Sequence, residues 1–369
     1  MNVLHILPGL DPNSGGPVRS VTGLCRALSQ SGVPTTLFVH SPEYEMSEPS
    51  GVRFLKGRGQ GLKIVWEDTL RVLNEVKPDI IHLHGIWMPS NHVAARLARK
   101  QKIPYIIAPR GMLEPWSLNT KKWKKRLALW LYQRNDLKKA AALHATAESE
   151  ADQFRTLGFT QKIIVSPNGI NTPQQLPPRS FRADGKKVIL FMSRLHPKKG
   201  LMMLVEAVNQ LKKIGIFDGW HVEYAGPDYE HYHKEVQDRI ISLGLQNDFT
   251  YLGNLDDESK WSAYSRANLF VLPTYSENFG IVIAEALYAN LPVITTQGTP
   301  WQELETHRCG KWIEVGVLPL MTALKEMMML TDEERTPMGR NGRALVESQY
   351  TWESAAMKMR NAYEKLLKL

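Results

Sequence analysis

The chain has 369 residues, enough for roughly two domains with full cores. Hydrophobic residues make up 43% and charged ones 22%, the make-up of an ordinary soluble globular protein, and no apolar run approaches the ~20 residues that a membrane span needs. The formal charge of +9 favours an anionic partner (nucleotide, phospholipid surface or nucleic acid), while two cysteines, Cys25 and Cys309, exclude a disulfide framework and fit a reducing compartment.

Val3 to Leu7 reads as a first strand, with no basic and apolar leader before it, so no secretion signal is expected. Gly15-Gly16-Pro17 then separates this strand from a helix running from about Val18 to Gln30 and stopped by Gly32. A phosphate or sugar can approach bare backbone there, although a plain turn would look the same. Thr35 to Val39 is a second strand. Gly57, Gly59 and Gly61 alternate in a basic loop and read as flexibility. Leu62 to Glu75 is a helix ended by Lys77-Pro78. Asp79 to Gly85 is a strand running into a loop, and His82 and His84, two apart, point to one face of it. Metal ligation there finds no third ligand nearby in sequence; structural histidines and a substrate contact at the strand end are the competing readings. Ile103 to Ala108 is another strand, and Arg110 in the following Pro-Arg-Gly-Met-Leu string is either a salt-bridge partner or a ligand contact.

Asn119 to Lys139 stands out. Trp123, Leu127, Trp130 and Leu131 recur at helical spacing. Around them lie Lys121, Lys122, Lys124, Lys125, Arg126, Arg134, Lys138 and Lys139, against only Asp136. Either the stripe packs on the domain and the cations are a solvated face, or the helix, with Trp116 before it, meets an anionic membrane surface. Basic residues interleaved with tryptophan also suit nucleic acid, but no nucleic-acid module accompanies them. Ala140 to Thr146 is a short strand and Glu148 to Leu157 a helix. A strand from Ile163 runs into the Pro167-Asn168-Gly169 turn. Thr172 to Arg179, with its three prolines, reads as a linker.

In the second half, Val188 to Met192 is a strand, and Arg194 and Lys199 occupy the loop before a helix starting near Leu201. Two cations beside a helix N-terminus make an anion site. Trp220 to Ala225 is a strand, Val236 to Leu243 a helix, and Phe249 to Leu252 leads into Gly253-Asn254-Leu255. A helix spans Lys260 to Ala267. Asn268 to Thr296 is then a strand–loop–helix–strand unit, in which ligands bind where the strand ends and the helix begins. Glu277 in the loop and Glu285 about one turn into the helix frame that point. Gly280 admits a close backbone approach, the helix end suits phosphate, and the carboxylates suit hydroxyls; together these describe a nucleotide sugar. Taken singly, each glutamate reads as a solvated charge or a complement to the helix dipole. Residues 340–349 are helical, and the last helix starts at Tyr350-Thr351-Trp352.

The string SENFGIVIAEAL, Ser276 to Leu287, with its flanking strands, resembles the signature of the retaining GT-B glycosyltransferases of family 4. The resemblance covers nearly the whole chain, strongest from 188 to 353 and looser before 80. It implies an α/β fold of two Rossmann-like domains facing across a cleft, with the C-terminal helix crossing back to the first. The expected domains are 1–172 with 351–369 for the acceptor, a linker 173–186, and 187–350 for the nucleotide-sugar donor. The resemblance implies that Arg194 and Lys199 hold the diphosphate, and that Gly253, Asn254 and Leu255 hold the base. It implies that Glu277 with Asn278, Phe279, Gly280 and Ile281 binds the sugar, and Glu285 the ribose. Gly15 and Gly16 match a glycine-rich loop near the diphosphate, and His84 a sugar-contacting histidine, with His82 structural. His84, Glu277, Arg194 and Lys199 form the expected catalytic set. Arg110 and Asn168 are acceptor-side candidates, and the Arg110 string resembles a polysaccharide-building subgroup. Asn171 stands where the family commonly has aspartate, and Ala147 where it has serine.

No two aspartates lie two apart, so the metal motif of the other large glycosyltransferase fold is absent. No metal and no cofactor are expected. Glu277 as a covalent nucleophile is the mechanistic alternative. The expected enzyme is a retaining, metal-independent hexosyltransferase using UDP-glucose, the donor being chosen on family frequency, and a lipid-linked saccharide acceptor in exopolysaccharide or lipopolysaccharide synthesis. It is expected in the cytoplasm, peripheral on the inner membrane face through 119–139, with no nucleic-acid partner. The rivals are a GT-B nucleotide-sugar epimerase and a non-catalytic sugar-nucleotide or nucleic-acid binding protein.

Overall fold

The structure, a computed structural model, describes residues 1–9, 16–41, 50–59, 61–114, 117–118 and 122–368, and of residues 16–18, 122, 124 and 126 only the backbone. Gly15, Trp116 and Lys121 thus lie outside the described residues. Two compact units form: Met1–Asn171 with Gln349–Leu369, and Thr172–Ser348. Both are parallel sheets with helices between strands. Runs such as Leu269–Leu272, apolar at every position, require this, because both faces of such a strand need cover.

Unit 1 has seven strands in the order β3-β2-β1-β4-β5-β6-β7. They are β1 Val3–Gly9, β2 Thr35–Ser41, β3 Arg53–Lys56, β4 Ile80–His84, β5 Tyr105–Ala108, β6 Ala142–Ala145 and β7 Lys162–Val165. Its helices are α1 Gly16–Gln30, α2 Leu62–Val76, α3 Pro89–Lys100, α4 Lys122–Ala128, α5 Arg134–Lys138 and α6 Glu148–Thr156, with a π-helical turn, Leu129–Gln133, joining α4 to α5.

Unit 2 has six strands in the order β10-β9-β8-β11-β12-β13. They are β8 Lys187–Met192, β9 Trp220–Ala225, β10 Phe249–Tyr251, β11 Leu269–Leu272, β12 Val293–Thr296 and β13 Gly310–Ile313. Its helices are α7 Leu201–Lys213, α8 Tyr232–Ser242, α9 Asp257–Arg266, α10 Ile281–Tyr288, α11 Glu303–Thr306, α12 Val317–Met329 and α13 Asp332–Gln349. In each sheet the order reverses once, at β1/β4 and at β8/β11, and open parallel sheets bind ligands beyond the strand ends at such a reversal.

The last helix, α14 Trp352–Leu367, belongs to unit 1. It packs on α1 and buries Met359 and Tyr363 beside Leu24, Leu28, Ile80 and Ile106. Its start is keyed by the Trp352 indole. A Cβ on Gly23 or Gly169 would fall 2.1 or 2.5 Å from that ring. Trp352 Nε1 also donates to Asn171 Oδ1 at 2.7 Å.

Several elements escape the sequence pattern. β3 is a four-residue edge strand with exposed ends, too short to show a period. The core side of α3 is built largely of small residues, Ala94, Ala95 and Ala98, which give little apolar contrast. β13, α11 and α12 are likewise not legible in the pattern. Gly57 is not a flexible link: its N–H donates to Val39 O at 2.8 Å, and a Cβ there would lie 2.6 Å from His40 O.

The 119–139 stretch departs most. In an unbroken α-helix, at about 100° per residue, Leu137 would share the face of Trp123, Leu127 and Trp130. The π-turn inserts one residue and rotates the residues beyond it by about 100°. Gln133, Asp136 and Leu137 therefore turn inward and are buried, while Trp123 (67% exposed), Leu127 (48%), Trp130 (80%) and Leu131 (59%) face solvent. The stripe does not pack on the domain.

Candidate functional site

At the β8/β11 reversal three loops meet. After β8, a 3-10 turn Pro197–Lys199 is capped by His196, whose Nδ1 accepts the Lys198 N–H at 3.0 Å. Gly200 follows with φ 77°, and a Cβ there would sit 2.0 Å from Pro273 O, so only glycine lets this loop lie on the end of β11. The Lys198 carbonyl accepts the Tyr275 N–H (2.8 Å) and the Thr274 hydroxyl (3.0 Å), which ties the first loop to the second. From beyond β12, Gly298 O accepts the Glu277 N–H at 2.7 Å.

So held, Glu277 accepts a hydrogen bond from Lys199 Nζ. Burial alone would push its carboxyl up. The Lys199 ammonium outweighs that, helped by Lys198 and the Asn278 N–H, and holds Glu277 below the usual carboxylate range. The result is an ionised carboxylate with a 21% exposed side chain, beside a cation, at a strand end. Asn278 N–H reaches Glu277 Oε1 at 3.2 Å. Phe279 is buried against Trp301, whose indole N–H donates to the Phe279 carbonyl. Gly280, φ 77°, caps α10, and Ile281 is its first residue. Arg194 is exposed, its guanidinium 5.0 Å from the Tyr229 ring in the loop after β9.

Glu285 is buried on α10. Its Oε1 accepts from Lys260 Nζ (2.9 Å) and its Oε2 from the Tyr264 hydroxyl (3.1 Å), both on the buried face of α9. Burial and then Glu285 keep the Tyr264 hydroxyl protonated far above its ordinary range. Sequence reasoning misses both partners; the available signal is a lysine and a tyrosine at helical spacing just before β11. Gly253 has φ 80°, and its carbonyl accepts the Gly226 N–H at 2.9 Å. With half-buried Leu255 and exposed Asn254 it forms the loop after β10, where Leu252 and Leu255 line a groove of about 320 Å³ along Ser259, Ser262 and Arg266.

At the β1/β4 reversal, four buried histidines stand together. His5 pairs with His82 across the strands. Ligand atoms of His5, His82 and His84 lie within 4.8 Å of one another, so a third histidine does stand beside the pair, brought by the neighbouring strand and invisible to local spacing. The rings are joined by hydrogen bonds whose directions follow from chemistry. Arginine only donates, so His84 Nδ1 accepts from Arg110 (3.1 and 3.3 Å), and His84 Nε2–H donates to His5 Nδ1 (2.9 Å). His144 Nε2–H donates to Ser166 O (2.9 Å), so His82 Nε2–H donates to His144 Nδ1 (3.2 Å) and the Tyr363 hydroxyl to His82 Nδ1 (2.8 Å). Burial above all, aided by the Arg110 charge, lowers His5 and His144 to about 3 and His82 and His84 well below the ordinary value. All four are neutral.

Arg110 lies over this ladder in a left-handed conformation, φ 54°, 9% exposed. Its Nη1 donates to Ser20 Oγ (2.9 Å) and Asn168 Oδ1 (3.2 Å). Among the described residues it makes no ion pair. The nearby carboxylate, Glu150, is occupied by the Gly111 and Thr146 N–H groups and the Thr146 hydroxyl. His84, Arg110 and Asn168 are thus brought together. The His84 ring is fully buried, and both of its nitrogens are bonded, one to His5 and one to Arg110. Gly16 opens α1.

Residues 174–344 match the family model described as Glycosyl transferases group 1, and residues 15–169 that of the Glycosyl transferase 4-like domain. The GDP-mannose:cellobiosyl-diphosphopolyprenol alpha-mannosyltransferase of Xanthomonas campestris is 24% identical, the match covering 83% of this chain and 81% of that one. Among solved structures, a sucrose-phosphate synthase from Thermosynechococcus elongatus aligns with a TM-score of 0.81 at 18% identity, covering 100% of this chain and 99% of that one. HepE of Anabaena, in complex with UDP and glucose, aligns at 0.76 and 17% identity, covering 99% and 100%.

Proposed function

The chain belongs to the family 4 type of glycosyltransferases and has their two-domain GT-B fold, and on that premise we propose that it moves glucose from UDP-glucose to a lipid-linked saccharide, with retention of configuration and without a metal. The observation that carries this reading is the Lys199–Glu277 pair at the β8/β11 reversal, a cation for phosphate and a carboxylate for hydroxyls held in contact. Arg194 and Lys199 take the diphosphate, and with the amino end of α10 they offset the charge that grows on the leaving phosphate. Glu277, kept ionised by Lys199, accepts hydrogen bonds from the sugar hydroxyls beside the backbone of Asn278, Phe279, Gly280 and Ile281. Each Glu285 oxygen keeps a lone pair beyond its bond to Lys260 or Tyr264, and these accept from the ribose. Backbone groups of Gly253, Asn254 and Leu255 hold the base. A leaving phosphate oxygen takes the acceptor proton, and attack on the same face retains configuration. Unit 2 is the donor unit and unit 1 the acceptor unit, where Arg110 and Asn168 touch the acceptor and His84 supports Arg110.

The complex of HepE with UDP and glucose supports the donor. The diphosphopolyprenol in the name of the Xanthomonas relative supports a lipid-linked acceptor in polysaccharide or lipopolysaccharide assembly. The enzyme works at the inner face of the cytoplasmic membrane. Trp123, Trp130 and Leu131 reach the headgroups, and the exposed Arg134, Lys138 and Lys139 meet anionic lipid. Among the described residues no helix is long and apolar enough to cross a membrane. Thermal shift with UDP and GDP, combined with hydrolysis of labelled UDP-glucose with and without EDTA, tests the donor site. Stronger stabilisation by UDP and slow, EDTA-insensitive hydrolysis are expected; stronger stabilisation by GDP, or a strict need for Mn²⁺, overturns the donor or the metal-free mechanism respectively.

A further inference from the structure

We propose that seating the 122–138 segment on an anionic lipid surface orders the loop after β4, so that unit 1's candidate site responds to membrane binding; this rests on the membrane reading above. The link is the π-turn. Such turns are rare and recur at functional sites, and this one has two faces. Trp130 and Leu131 project into solvent, while the next two residues hold a single residue of the β4–α3 loop. The Tyr132 hydroxyl donates to Trp87 O at 3.0 Å, and Gln133 Oε1 accepts the Trp87 N–H at 3.0 Å. Both main-chain polar groups of Trp87 therefore depend on the π-turn.

Trp87 is also strained. Its φ of 77° is an unfavourable conformation for a bulky residue and persists only where surroundings enforce it. Its indole N–H is buried with no partner among the described residues. From Trp87 the loop runs directly back to the site. Ile86 N–H contacts the sulfur of Met112 at 3.3 Å, two residues from Arg110. Asn91 Nδ2 donates to the carbonyls of Gly85 (2.7 Å) and His84 (3.0 Å).

The far end of the segment is fixed. On α5, Asp136 pairs with Arg99 (2.8 Å) and His92 (2.6 Å) of α3, and its carbonyl accepts the Tyr105 hydroxyl at 2.8 Å. With α5 anchored, a change at Trp123, Leu127, Trp130 and Leu131 is passed to Tyr132 and Gln133. Lipid is the occupant that fits. Large apolar side chains include two tryptophans, exposed cations follow on α5, and the one acid of the segment is turned inward and paired.

The test uses the full chain with vesicles of phosphatidylcholine alone or mixed with phosphatidylglycerol, reading sedimentation and hydrogen exchange of amides 85–88. Wild type is expected to sediment with the anionic vesicles only, with exchange at 85–88 slowed about fivefold or more. Trp130→Ser with Leu131→Ser should abolish both effects. Tyr132→Phe, which removes one hydroxyl and leaves the fold intact, should sediment like wild type but lose most of the protection; Gln133→Leu is the stronger second variant. Failure of wild type to sediment overturns the membrane reading and this inference with it. Sedimentation with unchanged exchange at 85–88, or full protection in both Tyr132→Phe and Gln133→Leu, overturns the coupling alone.

Discussion

Lowering the pH from 7 to 5.5 is expected to weaken unit 1 far more than unit 2. His5, His82, His84 and His144 are buried and neutral in the fold, two of them at about 3 and two well below the ordinary value. In the unfolded chain each titrates near 6.5, so between those limits the unfolded state binds more protons, and stability falls with pH. Each histidine then loses about 1.3 kcal/mol over this step, and the four about 5 kcal/mol, a large share of a domain's stability. The groups facing the ladder are Arg110 from the end of β5, Cys25 on α1, Tyr363 on α14 and Glu150 on α6. Arg110 makes protonation worse. Glu150 opposes the trend, since burial raises its carboxyl, but it is one group against four. On a unit of this size the loss corresponds to a melting temperature lower by about 10–20 °C. Hydrogen exchange followed by mass spectrometry resolves unit 1 peptides from unit 2 peptides. Equal acid sensitivity in both, or a unit 1 opening free energy flat between pH 5.5 and 7, would refute a neutral buried ladder.

Lys260→Met should strip Glu285 of its buried cation and cost unit 2 about 3 kcal/mol, whereas adding Glu285→Leu should restore most of it; a double variant worse than the single one would contradict the pairing. Lys199→Met should cut donor turnover about 100-fold or more with the melting profile kept, and wild-type-like turnover would sink the assignment. The Glu277 carboxyl is depressed, so the stability contributed by its pair with Lys199 is complete above the ordinary carboxylate range and lost as pH falls through the lower folded value. Lys199→Met removes the pair, so that acid loss should vanish, which a pH series of melting temperatures of the unliganded protein would show. Glu285→Ala is a poor probe of function alone, because it leaves the buried Lys260 only the exposed Asp257 as an ion-pair partner.

The legible part of the sequence was local. The all-apolar Leu269–Leu272 run, the Phe-Gly step and the Arg194…Lys199 loop declare strand, helix start and anion site within a few residues of one another. The hidden part was set by contacts across the fold. Lys260 and Tyr264 meet Glu285 only because α9 packs beside α10. His5 reaches His84 only because β1 lies against β4, and the same packing buries the ring that local pattern offered as a sugar contact. The outward stripe was hidden for a different reason: a one-residue insertion in a helix leaves no mark in composition or spacing, yet it decides which face is inside.

Trp352 in its glycine slot and Tyr363 on His82 also fix an order of events during synthesis. Unit 2 is continuous from Thr172 to Ser348, whereas unit 1 needs Gln349–Leu369. On the ribosome, all of unit 2 therefore emerges before unit 1 can close. Until α14 arrives, Leu24, Leu28, Ile80 and Ile106 lack the cover of Met359 and Tyr363, and His82 lacks its tyrosine partner.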